Sequence, residues 1–198
     1  MAKKKETSKK KDSKKKEVRN DKREIKVVNI VVSTALEHDI PLEKMAATLS
    51  NTEYNPEQFP GLVLRIKEPK TSALIFSSGK VVCTGARTIQ KVDESVKKII
   101  KSLEKINIKI KIKPKIKIQN IVASGTVGMD LNLNDLAMKL ENTEYEPEQF
   151  PGLVYKLHDA KATFLLFSNG KVVCTGTKSE EAVHKALDML ITNLKKIR

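Results

Sequence analysis

From residue 25 onward the apolar positions alternate between a period of two and a period near 3.6, so short strands and amphipathic helices are expected to follow one another. Residues 25–34 and 116–123 are rich in β-formers. Leu42, Met45, Ala46 and Leu49 keep the three-four spacing of a short helix, as do Leu133, Leu136, Ala137 and Leu140, and Pro41 suits a first helical turn. Three strand-like runs follow at 62–67, 72–77 and 80–86, with Ser78-Gly79, and later Asn169-Gly170, supplying the residues of a tight hairpin turn. A long helix comes next. Its apolar stripe is Ile89, Val92, Val96, Ile99, Ile100 and Leu103, and a later stripe of Val183, Leu187, Leu190, Ile191 and Leu194 has Ser179 as its expected N-cap. Between 106 and 118, Ile and Lys alternate; this stretch is expected to be an extended connection whose lysines face solvent, with Pro114 marking a sheet edge or strand start.

The elements occur twice. Glu53-Tyr-Asn-Pro-Glu-Gln-Phe-Pro-Gly-Leu-Val63 recurs as Glu144-Tyr-Glu-Pro-Glu-Gln-Phe-Pro-Gly-Leu-Val154, and the offset of 91 holds without a gap from 29 to 85, with 31 of 57 positions identical. Two copies of this length indicate a duplicated α+β unit with an internal pseudo-twofold axis rather than a solenoid. The division is 1–24 as a basic tail, 25–107 as the first repeat and 108–198 as the second.

The strands are apolar on both faces. Leu74 and Phe76 point opposite to Ala73 and Ile75, and Val82 and Thr84 opposite to Val81 and Cys83. Such a sheet needs two covers. If the helices of an α+β unit gather on one side, the other side is left as an apolar surface dotted with Asn29, Asn120, Thr84 and Thr175. A homodimer or sandwich would bury that face; a ligand would use it.

Charge alters the balance. The 198 residues carry 38 Lys and Arg against 24 Asp and Glu, a net +14, of which the tail to residue 24 holds half. Arg65, Lys67, Lys70, Lys80 and Arg87, with Lys156, Lys161, Lys171 and Lys178, border the apolar strip, which suits a polyanion better than a like-charged copy. The minor groove of A·T-rich duplex DNA offers mainly acceptors. Asn and Thr can meet those acceptors, Val and Leu can pack on sugars and base edges, and Phe residues near turns can unstack base steps.

The paired motifs Asn-Ile-Val at 29 and 120, Tyr-x-Pro-Glu-Gln-Phe-Pro-Gly at 54 and 145, and Phe-Ser-x-Gly-Lys-Val-Val-Cys-Thr-Gly at 76 and 167 resemble the TATA-box-binding protein family, its archaeal branch in particular, over about 25 to 198. The resemblance implies a saddle: a curved ten-stranded antiparallel sheet with DNA on its concave side and four helices on its convex side. It implies intercalation by Phe59, Phe76, Phe150 and Phe167, and base-edge contacts from Asn29, Asn120, Thr84 and Thr175 over a bed of Val31, Val122, Val82, Val173, Leu74 and Leu165. Phosphate contacts fall on Arg65, Lys70, Ser78, Lys80, Lys156, Asn169 and Lys171, and Glu146, Glu148 and Gln149 fall where the family meets transcription factor B. The implied role is a general initiation factor that bends a TATA-like promoter and recruits transcription factor B and RNA polymerase. An architectural module that binds DNA or RNA without promoter choice is the alternative.

Other chemistry is not expected. Cys83 and Cys174 lack C-x-x-C spacing and sit opposite the open face, as small reduced core residues; His38, His158 and His184 are not repeat-equivalent and have no metal spacing. No catalytic constellation, metal site or cofactor is expected. No apolar run is long enough to span a membrane, and an intracellular, nucleoid-associated protein is expected. The tail reads as disordered, either a solvated arm or a source of additional phosphate contacts.

Overall fold

The computed structural model describes residues 24–197, so the tail expected at 1–24 lies, but for Glu24, outside the described residues. Each repeat runs strand, short helix, four strands, long helix. The first contains β1 (Glu24–Ala35), α1 (Leu42–Thr48), β2 (Thr52–Glu53), β3 (Gly61–Ile66), β4 (Thr71–Phe76), β5 (Lys80–Ala86) and α2 (Ile89–Glu104). The second contains β6 (Lys117–Thr126), α3 (Leu133–Lys139), β7 (Thr143–Glu144), β8 (Leu153–Leu157), β9 (Ala162–Leu166), β10 (Lys171–Thr177) and α4 (Glu180–Lys196), with a 3-10 turn at His158–Ala160.

All ten strands form one curved antiparallel sheet in the order β2-β3-β4-β5-β1-β6-β10-β9-β8-β7. The repeats meet where β1 pairs with β6. There Ile30 lies opposite Ile121, its own equivalent in the other repeat, which marks the pseudo-twofold axis. On either side of this pair the register shifts, leaving Val28 on β1 and Gln119 on β6 without a ladder partner. These are β-bulges, which bend a strand and increase its twist.

Strand parity puts one set of residues under the helices. Leu62, Leu64, Ala73, Ile75, Val81 and Cys83 of the first repeat are buried, as are Leu153, Tyr155, Phe164, Leu166, Val172 and Cys174 of the second. One core cluster joins α1, β3 and the C-terminal half of α2; the other joins α3, α4 and the second repeat's strands, and also takes in Ile25, Ile30, Val32, Cys83 and Val92 from the first. The repeats therefore share a core. Fully burying a large apolar side chain is worth roughly 1.5–3 kcal/mol, so the shared residues bind the halves strongly.

Local chemistry explains the helix starts. Ser179 caps α4, its side chain accepting from the Ala182 N–H at 3.1 Å, while Thr88 and Asn132 do the same for α2 and α3. Pro41 is one position earlier than expected: it is the N-cap of α1 with extended ψ, and its carbonyl accepts the first helical bond from the Met45 N–H. The Ile/Lys stretch forms no strand before Lys117. Ile106 and Ile108 are buried on the first repeat's core, Lys109, Lys111, Lys113 and Lys115 face solvent, and the Thr34 hydroxyl donates to the Lys115 carbonyl. Pro114, without an N–H, stands three residues ahead of β6.

Candidate nucleic-acid interface

The helices leave the opposite side of the sheet open. On it Val31, Val63, Leu74, Val82, Val122, Val154, Leu165 and Val173 are only partly buried, forming an apolar bed across both repeats. Two amides stand near its centre. The Asn29 Oδ1 accepts from the Gly85 N–H at 2.7 Å, and its Nδ2 lies 3.0 Å from the Thr84 Oγ1. Asn120 repeats the arrangement with the Gly176 N–H at 2.8 Å and the Thr175 Oγ1 at 2.9 Å. Because the glycine N–H can only donate, Oδ1 must face it, and the amide orientation is fixed by chemistry. Each Nδ2 keeps one N–H without a protein partner among the described residues, so the centre of the face presents donors.

The glycine is part of the device. Gly85 and Gly176 adopt φ of +101° and +96°, which glycine tolerates, and this turns their N–H groups toward the amides.

Aromatic pairs stand at both ends. Phe59 and Phe76 have ring centroids 6.0 Å apart, and Phe150 and Phe167 6.1 Å apart, both in tilted or edge contact. Phe59 is 45% exposed and Phe150 44%, unusual for rings that could have been buried. Each follows a turn, in which the Phe59 N–H donates to the Asn55 carbonyl and the Phe150 N–H to the Glu146 carbonyl. The outer ring rests over a glycine: a Cβ at Gly61 would come within 2.7 Å of the Phe59 ring, and one at Gly152 within 2.6 Å of the Phe150 ring. The rings form two apolar pairs, the outer ring of each exposed and the inner one half-buried.

The expected phosphate ligands are exposed around this bed, including Lys70, Ser78, Lys80, Asn169 and Lys171. Two of the cations among them are already ion-paired. The Arg65 guanidinium donates through Nε to Glu53 at 2.8 Å and through a terminal nitrogen at 3.2 Å, and Lys156 pairs with Glu144. The hydrogen bond from Arg65, and then its charge, hold the Glu53 carboxyl below the usual carboxylate range. Glu146, Glu148 and Gln149 lie exposed in the loop before Phe150.

Cys83 and Cys174 are buried on the helix side; burial pushes both thiols up, Cys174 to about 11. Among the described residues no group of His, Cys, Asp or Glu is placed to hold a metal ion, and no helix is long and apolar enough to cross a membrane.

Comparison with known proteins fits this geometry. The family model described as "Transcription factor TFIID (or TATA-binding protein, TBP)" matches residues 24–106 and 115–197, once per repeat. The chain belongs to the TATA-binding protein family. A TATA-box-binding protein of Methanocaldococcus jannaschii is 52% identical over 175 residues, covering 88% of this chain and 96% of that one. One from Archaeoglobus fulgidus is 49% identical over 173 residues, covering 86% and 94%. The solved structure titled "Methanococcus jannaschii TBP" superposes with a TM-score of 0.82 at 53% identity, covering 87% of this chain and 99% of that one. The saddle expected from the sequence is the TATA-binding protein fold, and its two family matches leave out 107–114, within the Ile/Lys connection.

Sequence reading missed two features of this family member's open face. Glu53 and Glu144 belong to the repeated motif, but their strands are two residues long, too short to show that they face Arg65 and Lys156. Val28 and Gln119 stand one position before the first aligned pair, and extending the comparison by a residue exposes the mismatch.

Proposed function

We propose that this chain is a general transcription initiation factor that binds A·T-rich duplex DNA in the minor groove with the concave side of its sheet, and bends it. The observation that carries this reading is the duplicated constellation of an outward amide N–H, an apolar bed and, at each end, a Phe pair whose outer ring is exposed. Asn29 and Asn120 donate to the acceptors of adenine and thymine, with Thr84 and Thr175 beside them. Val31, Val122, Val82, Val173, Leu74 and Leu165 pack on the groove floor. A guanine amino group would meet this apolar bed without an acceptor, which favours A·T pairs. Phe59 with Phe76, and Phe150 with Phe167, enter base steps at the two ends, and the cost of unstacking is offset by the surface the bent duplex meets.

Arg65, Lys70, Ser78, Lys80, Lys156, Asn169 and Lys171 hold the backbone and set the register. Glu146, Glu148 and Gln149 offer an acidic, exposed loop to transcription factor B, through which RNA polymerase is recruited. Energy transfer across a short end-labelled duplex tests the reading. A distance change on an A·T-rich site that is absent on a G·C-rich control is the expected result; binding without bending or preference would overturn it.

A further inference from the structure

The four residues that read the groove centre, Asn29, Thr84, Asn120 and Thr175, are the same in both repeats, so they cannot tell one direction along DNA from the other. The bulges can. Val27 packs on the core and Ile30 is buried, so Val28 and Asn29 are two consecutive side chains on the open side. Ile118 packs on the core and Ile121 is buried, which places Gln119 and Asn120 likewise. The bulge residues are equivalent under the offset of 91, yet one is an alkyl group and the other an amide. Val28 is 37% exposed. Gln119 reaches across the repeat boundary, its Nε2 donating to the Ser33 Oγ at 2.6 Å. Ser124, the equivalent of Ser33, lies opposite Lys26 beside Val28, and among the described residues its hydroxyl has no partner.

Resting on the proposed function, we infer that the Val28/Gln119 mismatch gives the saddle a polarity of its own and sets which way round it sits on an asymmetric A·T-rich site. Next to the pseudo-twofold axis, the half-site under the second repeat meets a held amide with a free oxygen and N–H. The half-site under the first repeat meets a methyl-bearing surface that can only pack. A base pair that can exchange hydrogen bonds with the amide, through a minor-groove acceptor or the guanine amino group, is accommodated on the Gln119 side and excluded on the Val28 side. The difference is one net hydrogen bond, which corresponds to a ratio of roughly three to ten between the two orientations.

The test uses the full chain carrying Met138→Cys, labelled with a fluorophore at that exposed position on α3. The buried native thiols, with raised pKa, do not compete for the label. Energy transfer to one end of a duplex with a non-palindromic A·T-rich site then separates the two orientations by distance, while the summed signal reports binding. Four proteins are compared: the parent, Val28→Gln, Gln119→Val and the double exchange. The expected result is a biased parent, two single variants near one to one, and a double exchange with the bias reversed. A parent without bias, or the same bias in all four proteins while binding persists, would overturn the inference and leave the proposed function standing. Loss of binding in the parent itself would overturn both.

Discussion

The two repeats agree over most of the open side of the sheet, the Val28/Gln119 position apart, and differ at several buried positions beneath it. Asn29, Val31, Leu74, Phe76, Val82 and Thr84 all have identical counterparts at 120, 122, 165, 167, 173 and 175. On the covered side Ala73 answers to Phe164, Leu64 to Tyr155, and the buried hydroxyl pair Thr71 and Ser95 to Ala162 and Ala186. A core has many solutions of similar volume, and at these positions each repeat has its own. Under the proposed function the open face has one chemical task in both halves, and few side chains perform it.

The comparison can be broken at its core first. Phe164→Ala copies the first repeat's residue into the second, where the ring is fully buried, and should cost about 3–5 kcal/mol because the neighbours do not collapse to fill the space. Denaturant unfolding measures this; a loss below about 1 kcal/mol would mean that the cores are interchangeable. On the open face the repeats should behave alike. Asn29→Ala and Asn120→Ala each remove a donor and the acceptor of a glycine N–H, and each should weaken binding to an A·T-rich duplex roughly 10- to 100-fold with little effect on stability. Unequal losses would sharpen the asymmetry at the bulges.

A smaller effect concerns the hydroxyl pair. The Thr71 and Ser95 hydroxyls lie 2.9 Å apart, and the Ser95 hydroxyl also donates to the Lys91 carbonyl at 2.7 Å. Thr71→Ala or Ser95→Ala should each cost about 1 kcal/mol in thermal or denaturant unfolding. The double variant, which copies the second repeat, should cost less than their sum, because the two changes remove the same bond. The smallest effect is at the ion pairs. Glu53→Gln frees Arg65 and removes a carboxylate from the phosphate side, so affinity should rise roughly two- to fivefold at low salt and the gain should fade as salt is added. Glu144→Gln should do less, since Lys156 is not held by a two-toothed fork. Salt titrations of binding check both.

Much of this is legible in the sequence. Alternation along 72–77 and 80–86 exposed the two-faced strands, and the offset of 91 gave the symmetry, because both are local patterns that a sheet preserves. The family's residues came from repeated motifs, which carry their own spacing. What remained hidden depends on pairing between distant strands. That Arg65 meets Glu53, that Gln119 crosses to Ser33, and that Asn29 takes the Gly85 N–H each require the ladder. Pro41 differed by one position because a proline serves equally as the last extended residue and the first helical one.

The ends of the sheet carry a consequence for the protein at high concentration. A ten-stranded sheet with an apolar face is, in principle, a template for stacking further strands onto its margins. Here the margins are β2 and β7, each only two residues long, and each contains a glutamate paired with a cation. So little free ladder remains that another chain gains almost nothing by adding to it, and the charge deters the attempt. The saddle can keep a broad greasy surface available without seeding fibres.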